Sequence, residues 1–211
     1  TLPRIAVLDL SGVSAAARDS TGYIRQRMER DWRLPYRRLT GAGIAAALAT
    51  VDVLLVPDLA VADAQGALGT AGRNAVRSWV RGGGRYVGWR GGASLAISLG
   101  VSTASQTEAS SAVPGSLFRV RVAQASPLAA DVGATVWQHY ESDPLLRPAE
   151  PAQAAATYPP VSSQDWFVSG FAQGAAELAG TAAVVDEPVG QGRTVLFASE
   201  PNFRAYTDGT A

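Results

Sequence analysis

Val51 to Val56 (VDVLLV) is an apolar run that ends only at Pro57-Asp58. A strand without regular polar alternation is buried on both faces, and strands of that kind belong to parallel sheets covered by helices. The flanking sequence supplies both more strands and the helices. Arg4 to Leu10 (RIAVLDL) and Pro35 to Leu39 read as strands, and Asp19 to Trp32 and Gly43 to Ala49 have helical spacing. Asn74 to Arg81 repeats the helical pattern with Val76, Trp79 and Val80, and Gly82-Gly83-Gly84 closes it. Arg85 to Trp89 is the next strand, followed by a helix from Ala93 to Leu99. This alternation predicts an α/β fold with a right-handed, doubly wound, mostly parallel sheet, whose functional groups gather at the carboxyl ends of the strands. Asp9, Asp58 and Arg90 fall at that edge.

The rhythm breaks over residues 102–163, which hold a Ser/Thr/Ala-rich stretch, strands at Leu117 to Val122 and Val136 to Tyr140, and a proline-rich segment from Pro144 to Pro160. An insertion or elaborated edge, partly antiparallel, is expected there. Phe167 to Phe171 and Ala182 to Asp186 are further strands, Gly190-Gln191-Gly192 is a turn, and Arg193 to Ser199 (RTVLFAS) is the last strand. At 211 residues and 47% hydrophobic, the chain is long enough for one substantial core, so residues 1–211 are expected to form a single domain. Beginning at Thr1 and ending just beyond Tyr206-Thr207-Asp208-Gly209, it is expected to be a piece of a longer polypeptide.

Composition removes several classes of function. The 18 basic residues, all arginine, balance 18 acidic ones, which argues against nucleic acid as a partner. No apolar run approaches the ~20 residues that span a bilayer, so membrane insertion is not expected. Absence of cysteine eliminates disulfides, thiolate nucleophiles and thiolate metal sites together.

The strand-to-helix turn Gly88-Trp89-Arg90-Gly91-Gly92-Ala93-Ser94 has the form of a nucleophile elbow, yet its apex is Arg90. Taken with IAVLDLSG near the start, VDVLLVPD, GGGRYVGWRGGASLA and the closing VSGFAQGAAELAGTAAVVDEPVGQGRTVLFASEPNFRAYTDGT, the chain resembles the class I glutamine amidotransferase-like domain that follows the catalytic domain of large secreted zinc carboxypeptidases, chiefly bacterial. The resemblance implies a flavodoxin-like topology. In amidotransferases of this fold the turn reads G-x-C-x-G and the late strand ends in H-P-E. Here Gly88 and Gly92 match the glycines and Pro201 the proline, while Arg90 stands at the cysteine, Glu200 at the histidine and Asn202 at the glutamate. Without a polarisable nucleophile and a base of near-neutral pKa, covalent hydrolysis of glutamine has no route.

Arg90, Glu200, Asn202, Asp58 and Trp89 are therefore candidates for a vestigial ligand pocket. Arg90 and Glu200 are expected to pair, either as a structural salt bridge or as a fork that receives a peptide carboxylate. Ser94 lies on the first helical turn, off the apex, and Thr1 is a weaker nucleophile candidate still. The lone histidine, His139, cannot build a catalytic zinc site and is expected to be a packed residue, while Asp131, Glu141 and Asp143 are close enough in sequence for at most a weak calcium site. Trp32, Trp137, Tyr140, Trp166, Phe167, Phe203 and Tyr206 serve either core packing or a saccharide or peptide surface.

The expected function is that of a non-catalytic accessory domain of a secreted zinc carboxypeptidase. Its partners would be the upstream peptidase domain and a peptide or cell-wall ligand, its location extracellular, and its zinc held only upstream, with no cofactor in this chain. Two alternatives stand: a small-molecule hydrolase built on Arg90, Glu200, Asp58 and Asn202, and a carbohydrate or cell-wall binding module.

Overall fold

The computed structural model describes residues 2–160 and 166–203. In chain order they form β1 (Ile5–Leu8), α1 (Ala15–Gln26), β2 (Tyr36–Leu39), α2 (Ile44–Ala47), β3 (Val53–Val56), α3 (Val61–Arg81), β4 (Arg85–Trp89) and α4 (Gly91–Ser98). There follow β5 (Ser105–Thr107), β6 (Ser116–Val122), β7 (Thr135–Tyr140), β8 (Leu145–Arg147), β9 (Ala154–Thr157), β10 (Phe167–Ser169), β11 (Ala182–Val189) and β12 (Gly192–Phe197). Two compact units result: residues up to Ser102 together with Glu187–Leu196, and Thr103–Asp186 together with the chain from Phe197 onward. Strands β11 and β12 each run through both.

In the first unit β1 pairs in parallel with β2 and with β3, and β3 in parallel with β4. β12 lies beside β4. Ala6, Val7, Leu54 and Val56 are buried in these strands, as expected of a sheet covered on both faces. Helix α1 buries Ala17, Ser20, Thr21 and Ile24, then continues into a π-helical turn, Arg27–Asp31. Helix α3 buries Ala64, Leu68, Gly72, Val76 and Val80, a stripe four residues apart. It is broken at Gly69 (φ 59°, ψ −176°), and it begins well before the Asn74 expected from the sequence.

The second unit is antiparallel in the pairings β5/β8, β6/β7, β6/β9, β6/β10, β8/β11 and β9/β11. Its core centres on Phe118, whose ring meets Tyr140 (6.0 Å, 87°), Tyr158 (6.2 Å, 83°), Trp166 (5.1 Å) and Phe167 (5.7 Å). Strands β8 and β9 lie inside the proline-rich segment.

Two surface carboxylates make the fold sensitive to acid. Hydrogen bonds from the Arg4 guanidinium (Nε 3.0 Å, Nη2 2.7 Å), with the Arg4 amide, hold Asp52 down from 3.8 to about 2. For Glu177, partial burial pushes upward, but the hydroxyl and amide donors of Ser110 and Ser111 outweigh it and bring the carboxyl from 4.5 to about 2. A group depressed in the folded state stabilises fully above its unfolded pKa and loses that contribution as pH falls through the folded one. Stability in urea is thus expected to decline between pH 4.5 and about 2. Glu177→Gln should flatten part of that decline in a pH series of urea melts.

Candidate functional site

The elbow is built by backbone crowding. β4 ends at Trp89, Arg90 takes a positive φ of 49° with ψ −117°, and α4 starts at the next residue. A non-glycine residue at positive φ is strained and persists only where its surroundings fix it. Here they do. A Cβ on Gly91 would collide with the Leu59 carbonyl, one on Gly92 with the Val56 carbonyl, and one on Gly88 would lie 2.7 Å from the Gly92 oxygen. The buried Tyr86 hydroxyl donates to that same Gly92 oxygen at 2.6 Å, and burial pushes its phenol well above the ordinary value of 10.0.

Asp58, just past β3, closes the turn. Its Oδ1 accepts the Gly91 amide at 2.9 Å and the Leu59 amide at 2.9 Å, while its Oδ2 lies 3.4 Å from Arg90 Nε. In a nucleophile elbow, the amide after the apex and an amide from a loop beside it are the donors that hold a developing oxyanion. Both donors here already hold an oxygen of the protein itself. Behind them, Ser20 Oγ of α1 accepts the Asp58 amide at 3.0 Å and the Trp89 indole Nε1 at 2.8 Å. Ser20→Ala removes the acceptor of both N–H groups in a buried setting and is expected to cost about 2 kcal/mol. Urea denaturation followed by tryptophan fluorescence checks it.

No protein-family model and no curated protein matches the sequence. Solved structures do match in fold. A ThuA-like protein from Bacteroides uniformis superposes with a TM-score of 0.57 at 14% identity, over 98% of this chain and 85% of that one. PurLQS from Thermotoga maritima gives 0.58 at 11% identity, over 98% and 91%. The fold is class I glutamine amidotransferase-like. A β-galactosidase from Bacillus circulans sp. alkalophilus gives 0.62 at 11% identity, with 94% of this chain covering only 28% of the enzyme.

On this amidotransferase-like frame, Asp58, Trp89 and Arg90 come together in the first unit, where Asp58 Oδ2 lies 3.4 Å from Arg90 Nε. Glu200 and Asn202 belong to the second unit, both buried, with the Asn202 amide donating to Glu200 Oε1 at 3.1 Å. Asp9, at the end of β1, forms its own cluster. Burial pushes its carboxyl up, but the Ser11 donors and the Arg38 guanidinium together bring it below 3.8. Ser94 donates its hydroxyl proton to the Arg90 carbonyl at 3.2 Å, the back-bond of a serine inside a helix to the carbonyl four residues earlier.

His139 stacks on Phe203, ring centroids 4.1 Å apart and 7° from parallel. Tyr140 is fully buried, Trp166 and Phe167 pack on Phe118, and Trp32 and Trp137 are exposed. Among the described residues no three His, Asp or Glu side chains are grouped to hold a metal ion, Asp131, Glu141 and Asp143 included. No helix among the described residues is long and apolar enough to cross a membrane. Thr1, Ser163, Tyr206 and the part of the closing motif from Arg204 to Gly209 lie outside the described residues. Sequence reasoning reached Asp58 as an edge residue but not its grip on two amides, and it missed Ser20 entirely, because an acceptor for backbone N–H leaves no periodic trace.

Proposed function

We infer that this chain is a non-catalytic accessory domain of a larger polypeptide, whose amidotransferase-like elbow is closed by its own carboxylate. One observation carries the reading: Asp58 Oδ1 sits between the Gly91 and Leu59 amides, where a reacting oxygen would have to bind. Chemistry supports it, since the apex side chain is a guanidinium, which neither attacks carbonyls nor loses its proton near neutral pH. Precedent supports it too, because the same fold forms 28% of the β-galactosidase and 32% of an exo-β-1,4-mannosidase from Opitutaceae bacterium strain TAV5.

The resemblance of the closing segment suggests a secreted zinc carboxypeptidase as the parent, with this domain docking on the catalytic domain or recognising peptide or cell-wall material. The purified chain is expected to release no ammonia from glutamine and no C-terminal residues from peptides with or without zinc. Turnover of either that disappears in Arg90→Ala would overturn the non-catalytic reading. A parent polypeptide without the two-histidine, one-glutamate zinc set overturns only the carboxypeptidase assignment.

A further inference from the structure

The second unit contains an apolar pocket of about 220 Å³ that has no part in the elbow. It opens on one face of the antiparallel strands, where the floor is made by Val120 of β6, Ala156 of β9 and Val184 of β11. The hollow has a local cause: β9 reads Ala-Ala-Ala-Thr, so side chains of one carbon stand where valine or phenylalanine would fill the space. Leu128, Val132 and Trp137 of β7 also line it. These three are 40%, 36% and 42% exposed, so large apolar side chains gather at the opening of an apolar hollow.

The geometry points to a binding site for an uncharged aromatic molecule of one or two fused rings. Size sets the upper and lower bounds, because an engineered aliphatic cavity of about 150 Å³ takes up benzene, and this pocket is larger by about one more small ring. Chemistry sets the class. No charged side chain lines the pocket, so a charged ligand would give up its hydration for nothing. The one amide in the lining, Gln138, is buried and donates its Nε2 proton to Ser199 Oγ, which ties it into the protein. A saccharide, which needs many hydrogen-bond partners, finds few. Trp137, paired with Arg119 across β6 and β7, also lines the pocket and supplies an aromatic neighbour at its edge, which favours a flat aromatic guest over a branched aliphatic one.

Indole is a suitable probe, measured by calorimetry and by saturation-transfer NMR on the whole chain, with circular dichroism to verify folding of each variant. Saturable one-to-one binding is expected. Ala156→Leu, which fills the floor, should weaken it at least tenfold, and Trp137→Ala, at the exposed mouth, at least threefold. Trp32→Ala, on the other unit, should leave it unchanged. If Ala156→Leu does not fold, Trp137→Ala decides the matter, because truncating an exposed side chain does not threaten the core. The site is refuted if indole fails to saturate wild-type protein, if Trp137→Ala binds as well as wild type, or if a methyl galactoside binds more tightly than indole. It is also refuted if sedimentation finds a dimer that persists in excess indole and is lost in Trp137→Ala, since the mouth would then be covered by a second copy of the chain.

Discussion

Gly92→Ala is expected to destabilise the protein by about 3 kcal/mol or more, a large loss for one added methyl group. The new Cβ would meet the Val56 carbonyl and sit 2.8 Å from the Pro57 carbonyl, both of them backbone at the end of β3. A flexible side chain can rotate away from such a methyl; a carbonyl held in a central parallel strand cannot. Relief requires α4 to lift, which breaks the Asp58 contact to Gly91 and the Tyr86 bond to Gly92 together. Gly22→Ala provides the contrast. It lies in α1 with nothing within 4 Å of the added carbon, and helix propensity alone predicts a gain of about 0.5–1 kcal/mol. Urea midpoints of the two variants should therefore move in opposite directions. A Gly92→Ala protein as stable as wild type would mean that the elbow does not pack against β3 as described.

Phe118→Ala is expected to cost about 4 kcal/mol. The ring is fully buried and touches four other aromatic rings, so its removal forfeits both apolar burial and edge-to-face contacts that no neighbour can restore by shifting. Phe167 makes one of those contacts but is 40% exposed. Phe167→Ala should accordingly cost about 1 kcal/mol, nearer the surface range. Denaturation followed in the near-ultraviolet, where packed tyrosines and tryptophans report, distinguishes the two, and equal losses would contradict the placement of Phe118 at the centre.

The parallel strands were legible because burial on two faces leaves an apolar run that no loop imitates: β1, β3 and β4 lie within the segments read from RIAVLDL, VDVLLV and RYVGW. The first half of α3 was not, since VADAQGALGTAG spends its positions on alanine and glycine, which fit a helix against a sheet but contribute little to a hydrophobic period. Strands β5, β8 and β9 are three or four residues long, too short for alternation to show, and the last two sit among prolines. In the site, the glycines and Arg90 were visible from spacing alone. What Asp58 holds was not, because hydrogen bonds to main-chain amides depend on where two distant loops end up rather than on any pattern within either.

The Asp58 carboxylate is, in effect, a tethered competitor. Fixed to the same chain as the amides it occupies, it presents itself at an effective concentration of roughly millimolar or higher. A free carboxylate arriving from solution at micromolar levels loses that contest unless its own affinity for the site offsets the difference in concentration. Occupation of this elbow by an outside anion is consequently governed by whether Asp58 swings aside, so that the loop after β3, and not the visitor, sets the threshold.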